Sequence, residues 1–193
     1  HTEFQVPAGR DTFAISLPAW SPGAYDIDNY ARYVHGFSAT TPDGRALPWD
    51  KADQDTWRIV TGGARQVNVE FRSNPDSIML EFSAIGADFA FFNGTNLLPY
   101  PEGADLGGLT CELVVEFPAG WRVATGMTPA GAPGAYRADS YHDLVDSPFL
   151  MGRIALDSVI VDGKPIRFAV YPDSVLTPAV WDSVSDAIRR LAT

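Results

Sequence analysis

The sequence is poor in the residues from which metal and redox sites are built. Its 193 residues include one cysteine, Cys111, and three histidines, His1, His35 and His142. Zinc sites need three or four ligands at suitable spacing, and this chain has neither a His-x-x-x-His pattern nor a second cysteine. We therefore expect no metal site and no intrachain disulfide within these residues, and a buried structural thiol at Cys111.

Long apolar runs and positive charge are also scarce. No stretch approaches the roughly 18 consecutive apolar residues that a membrane-spanning helix needs. Fourteen Lys and Arg stand against 24 Asp and Glu, a formal net charge of −10, which argues against nucleic acid and anionic membranes as partners. The hydrophobic fraction of 46% is typical of a globular protein that buries a sizeable core.

Alternating patterns predict a mainly β fold, an antiparallel β-sandwich with one C-terminal α-helix. The clearest alternation, Gln66–Arg72, is typical of a sheet with one wet face. Residues 29–35 fit a short helical turn or an irregular strand. The predicted strands are Thr2–Val6, Asp11–Leu17, Thr56–Val60, Gln66–Arg72, Ile78–Phe82, Phe89–Phe92, Leu109–Phe117, Trp121–Thr125, Ile154–Val161 and Pro165–Tyr171.

Both ends of the sequence suggest part of a longer protein. It begins at His1 instead of Met, which indicates a tag, a processed signal peptide or a truncated start, and a periplasmic, secreted or cytoplasmic location is compatible with it. Near the other end, Thr177 is a candidate N-cap, and apolar residues recur at helical spacing. They are Trp181, Val184, Ile188 and Leu191. We expect a sandwich domain over 1–172 and, over 173–193, a helix that leads into a further domain.

The stretch Phe89–Gly103 combines a buried strand with a polar turn. Three phenylalanines run into Asn93-Gly94-Thr95, and Leu97 and Leu98 follow. Asn-Gly favours a hairpin turn because both residues tolerate positive φ. One hypothesis is an ordinary turn; the other is a turn that presents amides and short side chains to a ligand.

Other groupings predict structure more readily than chemistry. Pro22-Gly23 is typical of a type II turn, which Trp20 and Tyr25 would clamp by packing. His142 lies beside Asp143 and near Asp146 and Ser147, but neighbours along one strand do not converge as a catalytic triad must. The pairs Asp26–Asp28 and Asp53–Asp55 fit chance loop carboxylates better than a glycosidase pair.

Four motifs occur in order along the chain. They are Trp20-Ser-Pro-Gly-Ala-Tyr25 with Tyr30-Ala-Arg32; Phe91-Phe-Asn-Gly-Thr95 with Leu97 and Tyr100-Pro-Glu-Gly103; Trp121-Arg-Val-Ala-Thr125; and Tyr141-His-Asp-Leu-Val-Asp-Ser-Pro148 with Met151-Gly152. Together they resemble the motifs of the glycyl aminopeptidase family of zinc metallopeptidases. The resemblance covers nearly the whole chain but only the amino-terminal domain of that family. One departure is Asp28-Asn29, where the family usually has an Arg followed by an acidic residue.

The resemblance implies a saddle-like β-sandwich that packs against a thermolysin-like catalytic domain, as in the related aminopeptidase N group. That domain would carry the His-Glu-x-x-His helix and its Zn²⁺, act on a peptide substrate and release N-terminal Gly or Ala; the present residues alone would be inactive. The resemblance assigns substrate contacts to Asn93, Gly94 and Thr95. It assigns structural roles to Trp20, Pro22, Gly23, Tyr25, Phe92, Tyr100, Asp146 and Pro148.

Two other classes of function stay open at this point. A stand-alone β-sandwich module would bind carbohydrate or protein through exposed Trp and Tyr, and its terminal helix would fold back onto the sandwich. A glycosidase would need two acids roughly 5–9.5 Å apart in one cleft.

Overall fold

The computed structural model describes residues 1–21, 26–73 and 83–191. The strands are β1 Thr2–Gln5, β2 Thr12–Ser16, β3 Val34–Thr40, β4 Trp49–Lys51, β5 Thr56–Val60, β6 Gln66–Ser73, β7 Ala84–Ile85, β8 Phe89–Phe92, β9 Tyr100–Pro101, β10 Cys111–Val114, β11 Arg122–Thr125, β12 Thr128–Pro129, β13 Ala135–Ala138, β14 Phe149–Gly152, β15 Ala155–Val161 and β16 Lys164–Val170. The helices are α1 Gly94–Leu97, α2 Tyr141–Val145 and α3 Pro178–Leu191, with 3₁₀ turns at Tyr30–Tyr33 and Asp173–Val175.

The first half of the chain forms two facing sheets around one core. The sheets have the orders β1-β6-β3 and β4-β5-β2-β9, and every pairing in them is antiparallel. Val67 and Val69 of β6 point inward and are fully buried, while Glu70 is exposed. They pack with Ile15 and Ile59 of the opposite sheet, so the alternation in this segment predicts its buried face correctly.

The second half forms another pair of facing sheets with a core of its own. The orders are β11-β14-β8-β7 and β10-β13-β12, again antiparallel. Phe149 of β14 is fully buried, stacks on Phe92 of β8 with ring centroids 4.8 Å apart, and meets Tyr136 of β13 edge-on at 5.2 Å. The antiparallel, sandwich-like β fold expected from the sequence is confirmed.

A hairpin and a helix follow the sandwich. Strands β15 and β16 pair through a turn in which Asp162 (φ 48°) and Gly163 (φ 76°) both have positive φ, the signature of a type I′ turn. The predicted helix is present as α3, and Val180 N donates to Thr177 Oγ1 (3.4 Å). Trp181 packs on Phe168 of β16 with centroids 4.6 Å apart.

The face that α3 buries differs from the predicted stripe. Ser185 is buried between Trp181 and Ile188 on the side near β15, whereas Val184 stays 36% exposed. The helix therefore lies on the hairpin, and the two core clusters consist of residues 4–69 and 90–151. A small polar residue thus occupies a buried position of α3, which hydrophobic periodicity does not anticipate.

Several predicted elements differ in extent from those observed. The strand expected over Leu109–Phe117 is limited to Cys111–Val114. The sequence did not predict β3, β4, β7, β9, β12, β13 or β14. His142 and Asp143, expected to lie along one strand, belong to α2 instead, whose N-cap Ser140 Oγ accepts from Asp143 N (3.0 Å). The predicted strand Ile78–Phe82 and the turn Pro22-Gly23 with Tyr25 lie outside the described residues.

Candidate functional site

The segment Phe89–Gly103 crosses from the second sandwich to the first. Strand β8 pairs with the central strand β14, and Phe92 inserts into the core beside Phe149. Strand β9 then pairs with β2 of the first half. The residues between β8 and β9 are thus held at both ends by rigid sheets.

Asn93 and Gly94 do not form the hairpin turn that their sequence favours. Asn93 is extended (φ −92°, ψ 143°), and Gly94 begins the single helical turn α1. Asn96 N donates to Asn93 O (3.0 Å), and Leu98 N donates to Gly94 O (2.8 Å). The expectation of a hairpin turn is wrong because β8 pairs with β7 and β14, so the chain has no strand to return to after Phe92.

Close packing, not positive φ, explains the glycine at position 94. A Cβ on Gly94 would lie 2.6 Å from Val145 Cα and 3.0 Å from Leu144 O. Real Cβ atoms essentially never come so near a backbone atom, so only glycine lets α1 lie directly on α2. The same contact gives the structural role of the Tyr141–Val145 segment: α2 is the surface on which α1 rests.

Thr95 begins a buried chain of hydroxyl groups. Thr95 is 2% exposed, and its Oγ1 lies 2.5 Å from Ser21 Oγ. Ser21 Oγ lies 2.8 Å from the Tyr30 hydroxyl, which donates to Asp28 Oδ2 (3.4 Å). Asn96, also buried, accepts from Ser83 Oγ (3.4 Å). Thr95 therefore faces the interior of the domain, and of the three residues assigned to substrate contacts only Asn93 is partly exposed.

The remaining motif residues divide into packing residues and surface residues. Tyr100 packs on Tyr141 with centroids 5.4 Å apart, and burial together with the Glu102 carboxylate raises the Tyr100 pKa. Tyr141 donates to Leu98 O (2.7 Å), which fixes the end of α1. Trp20 is 53% exposed, and Asp146 and Pro148 are also exposed.

Sequence reasoning missed several residues that define this site. Ser21, Asp28 and Tyr30 are separated from Thr95 by some seventy positions, so no local pattern joins them. Their only signal is that Ser21 and Tyr30 belong to the first motif while Thr95 belongs to the second. The structure brings these two motifs into direct contact.

The nucleophile triad considered from the sequence does not form. Ser147 Oγ donates to Asp143 O (2.9 Å), and the Asp143 carboxylate accepts from Ser140 (2.7 Å) as part of the helix cap. His142 is an exposed residue of α2. These groups stabilise the helix rather than activate a hydroxyl.

The pair Asp53–Asp55 does not fit a glycosidase. Burial and a hydrogen bond to Asp53 raise the pKa of Asp55, while that hydrogen bond lowers the pKa of Asp53. Acids in direct contact are closer than the roughly 5–9.5 Å that glycosidase chemistry needs. A cleft of about 930 Å³ lies between β11, β14 and the β15–β16 hairpin, and among its described lining residues Asp157 is the single acid.

Residues 1–21, 26–73 and 83–191 contain no group of three His, Cys, Asp or Glu side chains placed to hold a metal ion. No helix among them has the length and apolar character to cross a membrane. Cys111 is half-buried, its thiol donates to Leu109 O (3.3 Å), and burial raises its pKa.

Comparison with known proteins finds a matching family model and related structures. The family model of the Peptidase M61 N-terminal domain matches residues 1–153. The structure of an aminopeptidase N family protein from Idiomarina loihiensis is 28% identical, with a TM-score of 0.78 over 86% of this chain and 29% of that chain. No curated protein sequence matches the chain.

Two M1 zinc metallopeptidase structures are more distant. One is from Deinococcus radiodurans (10% identity) and one is an E323A mutant bound to L-arginine (9% identity). Each has a TM-score of 0.41 over 97% of this chain and 46% of that chain. The chain thus spans less than half the length of each of these three proteins.

Proposed function

This chain belongs to the Peptidase M61 N-terminal domain family, and we propose that it is the non-catalytic wall of the substrate cleft in a longer zinc aminopeptidase. The Idiomarina loihiensis relative supports this, because the present chain covers only 29% of that protein. In this proposal, residues 1–172 form the wall, and residues 173–193 lead into a catalytic domain. The exposed Val180 and Val184 of α3 are suitable for contact with that domain.

Zinc would be held by the catalytic domain, since the described residues provide no ligand set that fits it. There it would activate water for attack on the scissile carbonyl. The proposed substrates are peptides with a small N-terminal residue, Gly or Ala. The part played by this chain is then to bind and orient the free amino end.

The observation that carries this role is the placement of Asn93. It lies at the end of β8, is partly exposed, and is followed by a turn whose next three residues are buried. Its Oδ1 would accept a hydrogen bond from the substrate ammonium. Gly94 and Thr95 contribute by holding the turn, because Gly94 touches the α2 backbone and Thr95 binds Ser21.

Asn93→Ala in the full-length enzyme is expected to lower kcat/KM for Gly and Ala substrates about 10- to 100-fold, the range for one charge-assisted hydrogen bond. The loss follows because alanine cannot accept from the ammonium. Steady-state kinetics with glycyl and alanyl anilides measure it. Asn68→Ala is the matched control, since Asn68 lies on β6 and its side-chain oxygen accepts from Gln66 Nε2 (3.2 Å).

The competing explanation for such a loss is general damage to the active site. Glycine hydroxamate and acetohydroxamate separate the two, because they share the zinc-binding group and differ in the amine. Asn93→Ala should raise the inhibition constant of glycine hydroxamate and leave that of acetohydroxamate unchanged. Equal inhibition constants before and after the substitution for both compounds would remove the proposed role.

The chain of 193 residues on its own is expected to bind no zinc tightly and to hydrolyse no aminoacyl anilide. Isothermal titration with Zn²⁺ and an aminopeptidase assay test this, with the full-length enzyme as the positive control. Hydrolysis that survives purification and stops on chelation would place a catalytic site in these residues and contradict the proposal.

A further inference from the structure

The hydroxyl chain beneath α1 has a fixed direction. The Asp28 carboxylate can only accept, so the Tyr30 hydroxyl donates to it (3.4 Å). A phenol has one proton, so Ser21 donates to Tyr30 (2.8 Å). Ser21 also has one proton, so Thr95 donates to Ser21 (2.5 Å). The protons therefore point from Thr95 toward Asp28 along the whole chain.

The members of this chain are buried enough for the direction to be stable. Tyr30 is 1% exposed and Ser21 is 6% exposed. Burial, and the carboxylate of Asp28, raise the Tyr30 pKa above its ordinary value, so the phenol keeps the proton that it donates. Asn96 also bonds to Tyr30, so a second residue of α1 meets the same phenol.

The chain joins two segments that are distant in sequence. The 3₁₀ turn Tyr30–Tyr33 packs against α1, and its position is set by Asp28 N and Asn29 N, which both donate to Ala19 O (2.8 and 3.1 Å). Removing one hydroxyl would leave buried partners unsatisfied. The turn that begins at Asn93 would then lose its lateral support.

We propose that Asp28, Ser21 and Tyr30 are positioning residues for the amino-end contact, and that they act through Thr95 on the placement of Asn93. This rests on the proposed function of Asn93. It also gives Asp28 a role as the terminal acceptor of the chain. Thr95 is then an internal anchor and not a ligand of the substrate.

The test measures how much the amino group of an inhibitor strengthens its binding to the full-length enzyme. The readout is the inhibition constant of acetohydroxamate divided by that of glycine hydroxamate, with KM and kcat measured separately. Thr95→Val, which keeps the volume and removes the donor, is expected to lower this ratio about 3- to 10-fold through loss of one hydrogen bond. KM for glycyl substrates should rise more than kcat falls.

Two further variants make the result specific. Thr95→Ser restores the hydroxyl and should restore the ratio. Asp28→Ala removes the terminal acceptor at a half-buried position, and should lower the ratio without endangering the fold. Thr61→Val is the matched control, because Thr61 is buried and donates to Arg10 O (2.7 Å) in the first sandwich, and its ratio should equal that of the wild type.

The outcomes separate this inference from the proposed function. If Asn93→Ala lowers the ratio while Thr95→Val and Asp28→Ala leave it unchanged, the positioning role is wrong and the amino-end contact stands. If Asn93→Ala leaves the ratio unchanged, the proposed function is wrong and the positioning role falls with it. If Thr61→Val lowers the ratio as much as Thr95→Val does, the effect comes from a general loss of stability, and the inference is overturned.

Discussion

Phe149→Ala is expected to lower the free energy of unfolding by about 3–5 kcal/mol, the cost of truncating a fully buried phenylalanine. Phe149 is the centre of the second core: it stacks on Phe92 and meets Tyr136 edge-on. Truncation removes both ring contacts and leaves a cavity between the two sheets. Urea unfolding of the 193-residue chain, followed by circular dichroism and tryptophan fluorescence, measures the change.

Phe117→Ala is the matched control for that experiment. Phe117 packs at the edge of the same cluster and is only partly buried, so its truncation should cost about 1 kcal/mol, near the typical point-mutation value. A double-mutant cycle between Phe149 and Phe92 should give a coupling of about 0.5–1.5 kcal/mol for the stacked pair. Equal losses for Phe149→Ala and Phe117→Ala would show that the core is not centred on this stack.

Local sequence pattern predicted well those elements that depend on neighbouring residues. The alternation in Gln66–Arg72 located a buried face. The two strands predicted on either side of Asp162-Gly163 pair with each other as a hairpin. Thr177 and the apolar spacing after it located α3. In each case one physical period or one turn preference acts over a few neighbouring residues.

Features that depend on distant contacts were not predicted. Asn93-Gly94 has the same turn preference as Asp162-Gly163, yet the strands around it belong to different sheets and no hairpin forms. Tertiary pairing overrides the local preference, and the glycine is required by contact with α2 instead. The side of α3 that is buried likewise depends on the hairpin below it.

The candidate site shows the same division. Its motifs were visible in sequence, but the joining of Ser21 to Thr95 was not, because hydrogen-bonding side chains carry no periodic signal. Thr95, to which the resemblance assigns a substrate contact, is 2% exposed, and we propose for it the role of an internal anchor. Of Asn93, Gly94 and Thr95, Asn93 is the partly exposed residue, and we therefore propose that it contacts the substrate.

Gly152 and Gly103 both have positive φ, but only Gly152 lies against a neighbouring backbone. Comparing alanine substitutions at the two positions therefore separates the cost of steric contact from the cost of backbone strain. Gly152 has φ +135°, and an added Cβ would lie 2.2 Å from Asp88 O and 2.6 Å from Phe89 Cα. Arg153 N donates to the same Asp88 carbonyl (2.8 Å), which holds the two strands at this distance. Gly103 has φ +75° with nothing within 4 Å of its Cβ position.

Gly152→Ala is therefore expected to lower the free energy of unfolding by about 4 kcal/mol, from backbone strain together with overpacking. Gly103→Ala should cost about 1–2 kcal/mol, because only the left-handed backbone opposes it. The same urea unfolding experiment measures both variants. Equal losses would mean that β8 and β14 separate freely, and the contact that holds β8 behind Asn93 would then not be rigid. A large difference would show that the proposed amino-end contact at Asn93 follows a firmly held strand, since Phe89 of β8 pairs directly with Gly152.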